Sequence, residues 1–239
     1  MWITWPVAIA PIGPVDLDNS RDIMSVISGI IPTPRHPGRF DVIVDGDAIA
    51  MLSIDIIERL QLAVGRDVSA LVERIASEAA QLKVYDRALN MLAFRARSSA
   101  ELARTLVRKG EEKLHVDRAI ERLKEQGFLD DAAFAQSFAR AKVVGASQSR
   151  RRVQQELSRK GVARDVSDAA IDVVFEEEGV DALAIVEEAA RKKLRSLAKL
   201  EPAVRKRRLY GFLARRGYDG EHIRAAMKVA GEELDASEQ

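Results

Sequence analysis

The chain has no cysteine, few aromatic residues, and only one proline after Pro37. Without cysteine there is no disulfide, no thiolate metal site and no cysteine nucleophile, a composition that suits the reducing cytoplasm, where the protein is expected to reside. Aromatics are 5% of the 239 residues, apolar residues 47% and charged residues 31%. That mix, rich in Ala, Leu, Glu, Arg and Lys, favours helices over sheets, and the length allows one to three small domains. The three histidines, His36, His115 and His222, are far apart and have no partner at ligating spacing, so no metal is expected. No Gly-x-x-x-x-Gly-Lys-[Ser/Thr] loop occurs, which argues against a P-loop nucleotide site. The opening Met1–Pro11 is apolar, but it lacks a basic start and is cut by proline. It fits neither a signal peptide nor a membrane span. No cofactor, no catalytic residue and no membrane association are expected.

The near-neutral overall charge hides strong patterning. Residues 140–164 carry eight Lys/Arg and one acid, residues 165–188 nine acids and no base, and residues 191–216 eleven Lys/Arg and one acid. Such blocks point either to solvated helix faces or to a polyanionic or charge-complementary partner.

Residues 1–37 hold six of the seven prolines and are expected to form a flexible leader, with a short helix at 23–31 as an option. Met24 offers an alternative start, in which case the leader is not part of the protein. A small module over 38–84 should follow. Phe40, Val42 and Val44 alternate with Asp41, Ile43 and Asp45, a strand pattern. Asp45-Gly46 fits a hairpin turn whose two central residues have positive φ, and a second strand is expected at 48–52. Turn chemistry accounts for Asp45 and Asp47 better than a metal site. Ser53 should cap a helix over 54–62 ended by Gly65, with another helix over 69–82.

From Tyr85 the pattern is helical and repeats. Leu102-x-x-x-Leu106-x-x-Lys109-Gly110 recurs as Val153-x-x-x-Leu157-x-x-Lys160-Gly161 and as Leu209-x-x-x-Leu213-x-x-Arg216-Gly217. Each describes a helix with an i, i+4 apolar pair, a base in the last turn suited to the dipole, and a glycine end. Ten residues after each glycine stands Ile120, Ile171 or Met227, placing a following helix. Another helix precedes each, over 85–95, 131–143 and 182–197. The unit is therefore three helices, present three times, over 85–129, 130–180 and 181–234, with a tail at 235–239. Ser98-x-x-Glu101 is a capping box. Ser149 holds the same place without the glutamate, and Pro202 starts the third equivalent helix. The expected architecture is mainly α: three tandem three-helix repeats in an elongated curved body, behind a β-hairpin and helix module and the leader.

The first and second units join at Leu123-Lys-Glu-Gln-Gly-Phe-Leu-Asp-Asp131. Gly127 can take the left-handed conformation that ends a helix, and Asp130 can cap the next. Leu129 can pack on Phe134 as a hydrophobic staple. Gly110, Gly127, Phe128, Leu129, Asp130, Phe134, Gly161 and Gly217 are thus the expected structural joints. Capping explains Asp130-Asp131 without a catalytic role.

Several of these stretches together resemble the RecX family. They are Ala88-Leu89-x-x-Leu92-x-x-Arg95-x-Arg97-Ser98-x-x-Glu101-Leu102, the Gly127-Phe-Leu-Asp-Asp-x-x-Phe134-Ala135 junction, and Arg152-Val-Gln-Gln-Glu-Leu157-x-x-Lys160-Gly161-Val162. The resemblance runs from about Arg39 to Leu234 and includes the upstream hairpin. It implies a regulator, not an enzyme. The expected partner is the RecA recombinase filament, with inhibition of its ATPase and strand exchange and a place in DNA repair, recombination and the SOS response. Single- or double-stranded DNA is a further expected partner, and the protein is expected to be a monomer. The leader departs from the family pattern.

The contact residues are inferred from charge alone. They are Arg150, Arg151, Arg152 and Lys160 in the second unit, and Arg191, Lys192, Lys193, Arg195, Arg205, Lys206, Arg207, Arg208, Arg215 and Arg216 in the third. Bases in a helix's first turn oppose its dipole, so local stability does not account for Arg150–Arg152 or Arg205–Arg208. The alternative function is a stand-alone DNA-binding protein, since three-helix units resemble helix-turn-helix domains.

Overall fold

The computed structural model describes residues 24–34 and 36–237; the leader expected over residues 1–23 lies outside them. The chain divides into two compact units, Met1–Ala79 and Ala80–Gln239.

The first unit contains a three-stranded antiparallel meander, β1 (Ile27–Pro32), β2 (Arg39–Val44) and β3 (Asp47–Ser53), in the order β1-β2-β3. The turn between β2 and β3 has φ of 52° at Asp45 and 95° at Gly46, as its sequence requires. β1 corrects the expectation of leader or helix at 23–31. Ile30 pairs with Val42 and Ile31 with Asp41. A two-stranded hairpin is marginal alone, and this third strand pairs an otherwise open edge. Ile27, Val42, Leu52, Ile56 and Ile75 form the buried centre of the unit.

Helix α1 (Ile54–Arg59) stops short of the expected 54–62, because Gln61 turns to φ 54° and Arg66 Nη1 takes the Leu60 carbonyl at 2.7 Å. Ser53 stands at its N-cap but its hydroxyl makes no capping bond. After a 3₁₀ turn at Ser69–Leu71, helix α2 (Val72–Phe94) runs 23 residues without a break. The helices expected at 69–82 and 85–95 are one, since no Gly, Pro or capping residue separates them.

The second unit holds the three repeats. The first uses the later part of α2 with α3 (Ser99–Arg108) and α4 (Lys113–Glu125). The second is α5 (Asp131–Val143), α6 (Arg150–Lys160) and α7 (Arg164–Glu177). The third is α8 (Ala182–Arg195), α9 (Pro202–Arg215) and α10 (Gly220–Ser237), the last extending into the expected tail. Ala135, Ala139, Val153, Leu157, Ile171 and Val174 build the core of the second repeat. Val186, Ala190, Leu209, Leu213, Ile223 and Ala226 build that of the third.

Adjacent repeats meet at equivalent serines twice, through the hydroxyl in one seam and the backbone amide in the other. Ser98 Oγ caps α3 by accepting from Glu101 N at 3.1 Å, and donates to the Lys160 carbonyl at the end of α6 at 2.6 Å. Arg104 Nη2 donates to the Arg159 carbonyl at 2.9 Å. One repeat on, Ser149 Oγ caps α6 through Arg152 N at 3.2 Å, and Ser149 N donates to the Arg216 carbonyl at the end of α9 at 3.0 Å. Tyr218 Oη adds a bond to the Ser147 carbonyl at 3.0 Å. In each seam the carbonyl end of one middle helix sits on the amide end of the preceding one, so opposite ends of two helix dipoles face each other. The joint Gly127–Asp131 supports the first seam. Asp130 Oδ1 accepts from Ala132 N and Ala133 N to cap α5, while Asp131 Oδ1 accepts from Ser99 N at 2.8 Å in the first turn of α3. Leu129 is buried there, whereas Phe128, expected as a structural joint, is 58% exposed.

The seam glycines do more than end helices. Gly161 has φ 82°, and a Cβ there would lie 2.4 Å from Ala100 Cβ. Gly217 has φ 87°, and a Cβ would lie 2.6 Å from both Arg152 Cβ and Ser149 Oγ. Gly110 has φ 88° but open space around it. Gly110→Ala should therefore cost only the left-handed backbone penalty, about 1–2 kcal/mol. Gly161→Ala and Gly217→Ala should add roughly 1–3 kcal/mol of overpacking. Urea unfolding midpoints of the three variants check this, and equal losses would contradict a packed seam.

Candidate interaction surface

The two basic blocks look alike in sequence and differ in the fold. In the second repeat the bases face acids of the same repeat. Arg150 pairs with Asp172, and Arg152 with Glu156 at 2.9 Å. Lys142 joins Glu156 at 3.2 Å, and Arg140 binds Glu177 and Glu178. The hydrogen bond from Arg150, reinforced by its charge, holds the Asp172 carboxyl below its ordinary value. The acidic run 165–188 thus holds Arg140 and Arg150, Glu156 within the basic run holds Lys142 and Arg152, and two of the three first-turn arginines gain local partners. Of Arg150–Arg152, only Arg151 has no acidic partner among the described residues, and it is exposed.

Lys160 belongs to the first seam. Its Nζ is 2.9 Å from Glu101 Oε2 and lies 5.7 and 5.4 Å from the ring centres of Phe134 and Phe138, within cation–π range. Phe134 is half-buried against the second repeat's core. Burial works to raise the Glu101 carboxyl, but Arg95 and Lys160 outweigh it and hold it below the ordinary 4.5. Glu156 is likewise held below 4.5 by Lys142 and Arg152 against its burial.

The third repeat is different. Arg191 pairs with Glu187 at 3.1 Å. Lys193 and Arg216 stand over the Phe212 ring at 5.5 and 4.2 Å. Burial lowers the Arg216 guanidinium from its usual value and raises the Tyr218 phenol to about 12. Lys192, Arg195, Lys206, Arg207, Arg208 and Arg215 are exposed, and Arg205 is half-buried. None of these seven has an acidic partner among the described residues. Two bases outside the contiguous basic block join them from α10. Arg224 and Lys228 are exposed and stand four residues apart, a spacing that puts both on one helix face. They line one groove with Arg205, Lys206, Arg207 and Tyr210. The described residues bring no three metal-ligating side chains together, and none of their helices is long and apolar enough to cross a membrane.

Family profiles agree with this division of the chain. The first, second and third three-helix domains of RecX match residues 85–123, 130–171 and 180–227. The regulatory protein RecX of Chlorobaculum tepidum is 37% identical over 155 residues, covering 64% of this chain and 92% of that one. The chain belongs to the RecX family. The Clostridium botulinum regulatory protein RecX is 28% identical over 210 residues, 87% of this chain and 97% of its own. That length exceeds the 155 residues from Tyr85 to the end, so this likeness reaches into the N-terminal unit. A crystal structure of regulatory protein RecX superposes with a TM-score of 0.68 at 20% identity, covering 86% of this chain and 99% of that one. It shares the fold.

The pinned carboxylates give a pH dependence of defined sign. Glu101 and Glu156 have folded values below 4.5, so their stabilisation is complete above pH 4.5 and lost as pH falls through the folded values. The urea midpoint of the wild type should drop more between pH 7 and pH 3.5 than that of Glu101→Gln/Glu156→Gln. Parallel pH profiles would show that these ion pairs do not support the fold.

Proposed function

We propose that this protein regulates the RecA recombinase by binding the RecA nucleoprotein filament and lowering its ATPase and strand-exchange activities. It acts through binding, not catalysis, as a cytoplasmic monomer in DNA repair and recombination. Family membership supports the regulatory role. The observation that carries the mode of action is the contrast between the two basic blocks: the second repeat neutralises most of its own, while the third, apart from Arg191, has no carboxylate partners for its cations among the described residues. Exposed bases without internal partners are available to phosphates or acidic protein surface, and they raise association rates with such partners. The contact surface is therefore centred on the third repeat, with Arg151 contributing from the second. Lys160, Arg150 and Arg152 support the surface from within the fold.

The test is the RecA ATPase on single-stranded DNA, measured with increasing amounts of this protein. The wild type should inhibit, and Arg205→Glu/Arg207→Glu should require at least about tenfold more protein for half-inhibition. Arg151→Glu should act in the same direction more weakly. Lys124→Glu, an exposed base on α4, should behave as wild type. Binding to DNA and to preformed filaments across a salt series separates the readings, because phosphate contacts give a steep salt dependence. An unchanged ATPase with equal affinity for DNA with and without RecA would favour the stand-alone DNA-binding alternative.

A further inference from the structure

The third repeat departs from the other two at the position where a neighbour docks. Twelve residues before their glycines, the first two repeats carry the capping serines Ser98 and Ser149, and each receives the helix end of the next repeat. The same position in the third repeat is Arg205. There α9 has begun four residues earlier than the alignment requires, at Pro202 instead of 206. The extra turn, about one full helical turn, replaces the receiving surface.

Beside that turn lies a groove of about 910 Å³ bounded by α8, α9 and α10. Its floor is apolar, built from Leu194, Leu209, Met227 and the ring of Tyr210, which is 43% exposed. Its rim is cationic, with Arg205, Lys206 and Arg207 from α9 facing Arg224 and Lys228 from α10. No carboxylate lines it among the described residues.

We propose that this groove docks an acidic amphipathic segment of another protein. Apolar side chains of the segment would cover the floor while its carboxylates meet the rim. A phosphate chain would satisfy the rim alone and leave the floor in water. Covering apolar surface is favourable in proportion to its area, and amphipathic helices bind such grooves through anchors at i, i+3, i+4 and i+7. Single-strand binders stack successive bases on several aromatics, whereas Tyr210 is the one aromatic in this lining. The groove shares residues with the filament-facing surface, but the inference rests on the groove's own shape and chemistry. Its test contains no RecA, so it can fail without that reading failing, and the reverse.

The full-length protein is titrated against a fluorescein-labelled synthetic peptide of about 18 residues, with Leu at i, i+3, i+4 and i+7 and Glu or Asp elsewhere, read by fluorescence anisotropy. A peptide of the same composition with its apolar spacing scrambled should bind at least about tenfold more weakly. Tyr210→Ser and Arg205→Glu/Arg207→Glu should each lose about tenfold, and Lys124→Glu should lose none. Far-UV circular dichroism checks that the variants are folded, and the two-peptide comparison needs no variant at all. The proposal is overturned if the amphipathic peptide does not bind at micromolar concentration, or if both peptides bind equally. Insensitivity to Tyr210→Ser overturns it as well. So does oligothymidylate binding tighter than the peptide and displacing it, which would mark a site for polyanions.

Discussion

Each seam of the repeat unit depends on a helix end seated on a helix start. The carbonyls that close α6 and α9 accept from the serines that open α3 and α6, Lys160 from the Ser98 hydroxyl and Arg216 from the Ser149 amide, so carbonyls left unpaired at helix ends find donors. The geometry needs a glycine at the carbonyl end, because a side chain at Gly161 or Gly217 would occupy the space already filled by Ala100 or by Ser149 and Arg152. Three small repeats, each modest for its length, are linked in series in this way.

Charge is organised around the same seams. Glu101 draws Arg95 and Lys160 into the first, where the ammonium also covers two phenylalanine rings. Glu156 ties α6 to α5 through Lys142. Farther out, α7 supplies the carboxylates that hold Arg140 and Arg150. The third repeat receives no such acidic helix, and apart from Arg191 its Lys and Arg side chains have no carboxylate partner among the described residues. Whether a base braces the fold or stands without a carboxylate is thus a matter of partners, not of composition.

Much of this fold was legible because local rules agreed with the tertiary result. The bounds 131–143 of α5 follow from Asp130 as cap and from the apolar spacing, and the turn at Asp45-Gly46 follows from its two residues. The rest depended on contacts distant in sequence. β1 lies between prolines and looks like leader until its pairing with β2 is known. The Arg150–Asp172 pair spans 22 residues, so a count of charge per block registers two opposite runs but not their cancellation. Gly161 and Gly110 both read as helix ends, and only the neighbouring repeat distinguishes a glycine needed for φ from one needed for space. Arg224 and Lys228 stand outside the dense basic run and belong to the surface only because α10 folds back beside α9.

The two ends of the repeat series are unequal. Gly110 closes α3 with no described residue within 4 Å of where a Cβ would stand, and α9 opens on an extra turn with arginine where the other middle helices carry serine. Duplicating the final segment would present a glycine-ended helix to a charged turn with no matching cap. A copy placed between existing repeats would meet a serine before it and a glycine after it. A further repeat on the C-terminal side would therefore not find at α9 the serine that receives a neighbour in the first two repeats, whereas an interior copy would find it.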